Sequence, residues 1–229
     1  MATMLMDAGQ CLCLHCDIDS LERHQPALRA GALPVGSVEF VRQAMALAGI
    51  QEPPNLSYPR RCEPFLGRTI ERRRAGSVIG RWFVKPVQTK LFNGFVVDTM
   101  QDPAELDEHD REQHAIFMAL HENTEVLVCE PVEFRGEWRF YVDPRQSSAA
   151  IAWARYDDHP EEDVPIPDIA VVRAFIAAIG IEHPYAADFA VNADGQTVLV
   201  EVNDFWALGL YRGAESIAGR AYLSCPDWV

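Results

Sequence analysis

The stretch YAADFAVNADGQTVLVEVND, residues 185–204, places the dipeptide Asp194-Gly195 between two runs that alternate in polarity. Asp-Gly tolerates positive φ at both central turn positions and so marks a two-residue hairpin turn. Pairing Ala193 with Gln196 across that turn carries the ladder back until Asp188 stands opposite Glu201, with Cβ atoms about 4.5–5.5 Å apart. Asn203 lies two residues beyond Glu201 and shares its face. Phe189, Val191, Val198, Val200 and Val202 form the other face, a core-facing set by period two, which turns the carboxylates away from that core. Two opposed carboxylates repel unless a cation sits between them, one of them binds a proton, or both point into water. Magnesium suits such oxygen donors: one or two carboxylates plus substrate phosphates hold it, and a pair of such ions can clamp a phosphoryl group.

Working outward, VVRAFIAAIG reads as a helix with Asp168 as N-cap and Gly180 at its C-terminal end. From Gly76 onward the chain is dominated by short β-rich runs: SVIGRWFVKP, LFNGFVVDT, TEVLVCEPVEF, EWRFYV and SAAIAWARY. An acidic helical stretch, DPAELDEHDREQ into HAIFMAL, interrupts them, and its His109 and His114 read as solvated. Nearer the start, Ser37 caps VEFVRQAMALAGI, with Phe40, Val41, Ala44 and Leu47 on one face and Gly49 near the end. The loop QEPPNLSYPR follows, and a last helix is expected from Gly213 to Ala221. Sheets and helices that do not strictly alternate argue for α+β lobes and against a doubly wound parallel sheet. The expected divisions are a small N-terminal subdomain over 1–65, a middle lobe over 66–124 and a C-terminal lobe over 125–229.

A chain of 229 residues with 48% hydrophobic content can bury one good core or two small lobes. Its 20 basic and 34 acidic residues leave a formal charge of −14, which argues against nucleic acid as a partner. The dense run from Arg68 to Arg74 reads either as a solvated helix face or as a grip for a small anion. No basic region leads into an apolar run at the start, and no stretch has the length of a membrane span, so a cytoplasmic location is expected. Six cysteines in that setting read as reduced thiols. Cys11, Cys13 and Cys16 have spacing that could bind a soft metal, although CLCLHCDI also alternates as a strand would.

With Asp188, then Glu201, then Asn203 two positions later, the hairpin resembles the C-terminal metal motif of the ATP-grasp superfamily, and EVNDFWALGLY resembles the segment that follows it. VLVCEPVEFRGEWRFYV resembles the segment between the family's two lobes, which implies adenine recognition by Glu130 and the backbone of Val132, and ribose recognition by Glu137. FVKPV resembles the phosphate-lysine strand and places Lys85 at the α- and β-phosphates. KLFNGFV stands where the family has a phosphate-covering loop richer in glycine and serine, which assigns Lys90 to the nucleotide beside Asn93 and Gly94. Arg68 is the candidate for a further phosphate contact. Many relatives have an arginine two positions before the first metal carboxylate; here that position is Ala186, leaving Arg139 or Arg155 to compensate. These features resemble a compact bacterial and phage clade rich in arginine. Each element also has a plainer reading: Lys85 as a surface lysine, Glu130 and Glu137 as ordinary hairpin carboxylates, Arg139 and Arg155 as solvated strand arginines.

The resemblance implies an ATP-grasp-like α+β fold, two lobes clasping ATP, with a short N-terminal segment in place of a full substrate domain. It implies a ligase that uses ATP with Mg2+, Mn2+ being able to substitute, and that activates a carboxylate as an acyl phosphate for attack by an amine. Lys85, Arg139 and Arg155 would supply the charge for phosphoryl transfer. The expected partners are an amino acid or peptide carboxylate and an amine acceptor, with neither nucleic acid nor membrane; a homodimer is compatible. Phe205, Trp206, Leu208 and Tyr211 either line an acceptor pocket or complete a core. Other nucleotide signatures, GxxxxGK[ST] and GxGxxG, are not found, nor is HExxH or a serine nucleophile elbow. Two alternatives stand beside the ligase: an ATP-binding sensor or partner module without ligation, and an interaction protein that binds metal through Cys11, Cys13 and Cys16.

Overall fold

The β-rich runs assemble into two four-stranded sheets, described by a computed structural model over residues 15–52, 56, 58–88, 91–145, 150–156 and 164–208. One compact unit comprises Glu63–Phe134, and the other gathers the described chain before and after it. The N-terminal part therefore clusters with the C-terminal lobe, where the sequence suggested a subdomain of its own.

In the Glu63–Phe134 unit the strands β1 (Glu71–Arg74), β2 (Arg81–Pro86), β3 (Phe95–Asp98) and β4 (Glu125–Cys129) run in the order β1-β4-β2-β3. All three pairings are antiparallel. β4, assigned from sequence to the following lobe, lies at the centre of this sheet. Alternation puts Val84, Phe95, Val97, Val126 and Val128 on one face, and Phe117 of the helix α3 (Glu108–Met118) joins them in the core. Asp107 caps α3 by accepting from the Asp110 amide at 2.8 Å. His114 is buried against expectation, while His109 is exposed and contacts Gln113. The arginine run also differs from the helix expected of it: Glu71–Arg74 is an edge strand. Its charges suit an edge that must not pair with another chain. Arg72 meets Glu125 at 3.0 Å, and Arg73 lies over the Trp82 ring at 4.3 Å.

The second unit contains α1 (Gln25–Arg29), α2 (Val38–Ala48), β5 (Phe134–Val142), β6 (Ala150–Arg155), α4 (Ile169–Ile179), β7 (Tyr185–Asn192) and β8 (Thr197–Asp204). Its sheet order is β6-β5-β7-β8. Both helix caps read from sequence are present. Ser37 accepts from the Phe40 amide and Gly49 adopts φ 81°, while Asp168 accepts from the Ala170 amide and Gly180 adopts φ 69°. α2 buries Val41, Ala44 and Met45, with Phe40 and Leu47 half-buried at the margin. Phe175 of α4 packs edge-on against Phe189 at 5.3 Å and Tyr185 at 6.5 Å, anchoring the helix to β7. Trp206 packs with Val41 and Met45, so it completes a core. Phe205 is also buried, whereas Tyr211 and the expected Gly213–Ala221 helix lie outside the described residues. At the start, 15–20 form no strand, and Cys11 and Cys13 lie outside the described residues. No helix among the described residues is long and apolar enough to cross a membrane.

The hairpin turn differs by one residue from the sequence expectation. Asn192 and Gln196 close it, with Gly195 at φ 79° in a three-residue loop of Ala193, Asp194 and Gly195. The turn-proximal pairs are accordingly Val191–Thr197, Ala190–Val198 and Phe189–Leu199. Such a slip would send Glu201 to the opposite face. Instead Val200 is inserted as a bulge, and beyond it the pairs are Asp188–Glu201, Ala187–Val202, Ala186–Asn203 and Tyr185–Asp204. The expected carboxylate pairing survives because two one-residue irregularities offset each other. The face composition does not survive: Leu199 joins the Phe189 face, and Val198 falls on the side of Asp188. β7 is buried on both faces, and Asp188 is fully buried.

Candidate functional site

Three strands bring charge to one face of the second sheet. Asp188 extends from β7, Glu201 and Asn203 from β8, and Arg139 from β5, the strand adjoining β7. Arg139 Nε donates to Asp188 Oδ1 at 2.8 Å and Nη2 donates to Oδ2 at 2.7 Å. The same Nη2 is 3.9 Å from Glu201 Oε1. Asn203 Nδ2 donates to Glu201 Oε1 at 2.6 Å and to Asp188 Oδ2 at 3.2 Å. The Arg139 and Asp188 side chains are 5% and 0% exposed, against 22% for Glu201, so Glu201 is the carboxylate that reaches the surface. Burial pushes the Asp188 carboxyl up to about 6, with the Arg139 hydrogen bonds and charge acting in the other direction.

The ladder places the remaining candidates of this unit. Arg139 is opposite Ala154, whose small side chain leaves space, and its guanidinium lies 5.0 Å from the Tyr156 ring centre. Glu137, two residues before Arg139, shares that face by alternation, and its carbonyl accepts from the Tyr156 amide at 2.9 Å. Arg155 is opposite Trp138 and therefore belongs to the other face. The sheet thus brings Arg139, Glu137, Asp188, Glu201 and Asn203 to one side and leaves Arg155 on the other.

The Glu63–Phe134 unit carries its own candidates on the sheet face away from the α3 core. Phe83 and Lys85 alternate on β2, with Leu127 opposite Lys85 and Val96 opposite Phe83. Lys85 is half-buried. Gly94 lets the loop come close to the Phe83 ring, since a Cβ there would lie 2.6 Å from Phe83 Cζ and push the ring aside. Arg68 Nη1 donates to the Leu66 carbonyl at 3.1 Å, its guanidinium is 5.9 Å from the Phe134 ring centre, and it hydrogen-bonds the Cys129 side chain. Glu130 and Val132 are exposed in the segment after β4. Lys90 lies outside the described residues. Burial pushes the Cys129 thiol up, and the Cys62 thiol up to about 12, which suits neither to nucleophilic work.

Asp188, Glu201 and Asn203 present the oxygen chemistry that a hard divalent cation takes. Arg139 already engages both Asp188 oxygens, so the donors that fit such an ion are the surface-reaching Glu201 carboxylate and the Asn203 amide oxygen, once the amide turns. No group of three or more His, Cys, Asp or Glu side chains placed to hold a metal occurs among the described residues. Sequence reasoning missed the Arg139–Asp188 pair and the role of Tyr58, whose hydroxyl donates to the carbonyl of the bulged Val200 at 2.8 Å. The only signal for either was strand and loop adjacency, which no local pattern reports.

Residues 65–218 match a family model described as an ATP-grasp domain, R(2)K clade, family 2. Among solved structures, the chain is similar to the ATP-grasp ligase PsnB complexed with minimal precursor, at 17% identity over 72% of this chain and 54% of that one, with TM-score 0.38. It is also similar to N5-carboxyaminoimidazole ribonucleotide synthetase in an ADP complex, at 12% identity, 80% and 54% coverage and TM-score 0.48. An L-amino acid ligase from Bacillus licheniformis matches at 12% identity, 88% and 56% coverage and TM-score 0.43. The chain spans about half the length of each of these. No curated protein sequence matches it. With its α+β architecture and a match covering most of its length, the chain belongs to family 2 of the R(2)K clade of ATP-grasp domains.

Proposed function

We propose that this chain is an ATP-dependent carboxylate–amine ligase that works through an acyl phosphate with Mg-ATP. The observation that carries the reading is the convergence of Asp188, Glu201, Asn203 and Arg139 on one sheet face, in a member of the ATP-grasp family. A carboxylate oxygen of the substrate attacks the γ-phosphorus, the bond to the bridging oxygen breaks, and ADP leaves. An amine then attacks the acyl carbon, phosphate departs and the amine loses a proton. Magnesium, when bound, would neutralise phosphate charge at Glu201 and Asn203, with Asp188 beside them. Lys85 and Arg68 would bind the phosphates, with Lys90 beside them. Arg139 would supply further positive charge, whereas Arg155, paired with Trp138, lies on the other face of the sheet; Glu130 and the Val132 backbone would hold adenine, and Glu137 would hold ribose. Phosphoryl transfer asks for alignment and charge compensation more than for a protein nucleophile, which agrees with buried, protonated thiols. The carboxylate and amine substrates are amino acids or peptides in this reading.

The test is ADP and phosphate release from Mg-ATP across a pool of amino acids and short peptides, with products identified by mass. Glu201→Gln should lower turnover by about 100-fold or more, the scale on which one transition-state charge contact acts. Parent-like turnover in that variant would remove Glu201 from the site. A second reading, nucleotide binding without ligation, is favoured by Ala186, fully buried two positions before Asp188, where the resemblance to the family implied an arginine. ATP binding with no product from the whole pool would select it.

A further inference from the structure

Two opposed carboxylates repel unless a cation or a proton relieves them, and in this chain an arginine stands beside them. The Arg139 guanidinium engages both oxygens of Asp188 at 2.8 and 2.7 Å, and its Nη2 reaches toward Glu201 at 3.9 Å. Its position is enclosed: the side chain is 5% exposed, the Tyr156 ring lies 5.0 Å from it, and Ala154 is its cross-strand neighbour. Guanidinium stays charged at any working pH and matches a carboxylate with two parallel donors. A metal ion bridging Asp188 and Glu201 would sit against this guanidinium, a like charge that is 5% exposed and so poorly screened by solvent. Glu201 and Asn203 lie at the open side of the same cluster, where Glu201 retains surface exposure.

We propose that Arg139 fills one of the two cation positions of a phosphoryl clamp, so that the site takes a single divalent cation, held by Glu201 and Asn203. The inference deepens the Mg-ATP reading and rests on it. Two carboxylates and one guanidinium leave one negative charge, which one divalent ion turns into one positive charge facing the phosphates. A second ion would add like charge beside a guanidinium with no exit to solvent. Asp188 then serves as a positioning residue for Arg139 and is not a metal ligand.

The test counts ions independently of turnover. The full chain is titrated with Mn2+ in the presence of the non-hydrolysable β,γ-imido analogue of ATP, free Mn2+ is read by electron paramagnetic resonance, and bound nucleotide is measured in parallel. The expected ratio is one Mn2+ per bound nucleotide for the parent and for Arg139→Lys, and two for Arg139→Gln. Two ions in the parent, or one in a folded Arg139→Gln, overturn the proposal while leaving the Mg-ATP reading intact. Nucleotide bound without Mn2+, or no nucleotide bound, overturns the Mg-ATP reading itself. Should Arg139→Gln fail to fold, the parent ratio decides.

Discussion

Asp188 and Arg139 form a pair whose value depends on both members being present. Desolvating two charges is costly, and the bidentate contact offsets that cost only while the geometry holds. Arg139→Leu should therefore destabilise the fold by about 3–5 kcal/mol, because it leaves a buried carboxylate unpaired. The double variant Arg139→Leu with Asp188→Leu should recover most of that loss in urea unfolding, since apolar replacements of a buried pair are often neutral. A single variant costing under about 1 kcal/mol would mean that the pair is not held as described. From sequence, a cation or a proton between Asp188 and Glu201 was legible as a requirement of two opposed like charges. That the cation belongs to the chain was not legible, because Arg139 is 49 residues away from Asp188 and nothing local reports that β5 adjoins β7.

At the scale of the element, the β7–β8 hairpin shows how a correct pairing arises from a turn one residue longer than expected. Gly195 at φ 79° closes a three-residue loop, and the bulge at Val200 restores the pairing toward Glu201. Two features of the N-terminal segment hold the strand after the turn: Tyr58 donates to the Val200 carbonyl at 2.8 Å, and the Leu56 amide donates to Asp204 Oδ2 at 3.3 Å. Tyr58→Phe removes the hydroxyl and keeps the ring. It should cost about 0.5–1.5 kcal/mol in urea unfolding, the net worth of one hydrogen bond. An unchanged midpoint would show that Tyr58 does not hold the bulge. The helix caps at Ser37 and Asp168 were legible because capping is a local contract between one side chain and amides two or three residues on. Of the two readings of the Arg68–Arg74 run, the helix face fails over Glu71–Arg74, because charge content alone carries no period and an edge strand tolerates it as well as a helix face does.

For the whole molecule, the two units have separate sheets, and the candidate residues divide between them: Lys85, Arg68, Glu130 and Val132 in one, Glu137, Arg139, Arg155, Asp188, Glu201 and Asn203 in the other. A ligand that binds only the folded chain stabilises it by mass action, by about 2.7 kcal/mol at 100 times its dissociation constant. Mg-ATP should therefore raise the melting temperature by several degrees, and Glu201→Gln should reduce that rise. A parent melting curve indifferent to Mg-ATP at millimolar concentration would argue against nucleotide binding. The sequence by itself determined the α+β class, the helix caps, most strands and the existence of the β7–β8 hairpin, because each is written in local periodicity or turn chemistry; the pairing of Asp188 with Glu201 needed the Val200 bulge as well. Only the tertiary structure decided that the N-terminal segment clasps β8, that β4 lies in the first sheet, that Arg155 and Arg139 occupy opposite faces, and that Arg139 pairs with Asp188. Those outcomes depend on which strands become neighbours, and neighbours are selected by burial summed over distant residues, which no single stretch encodes.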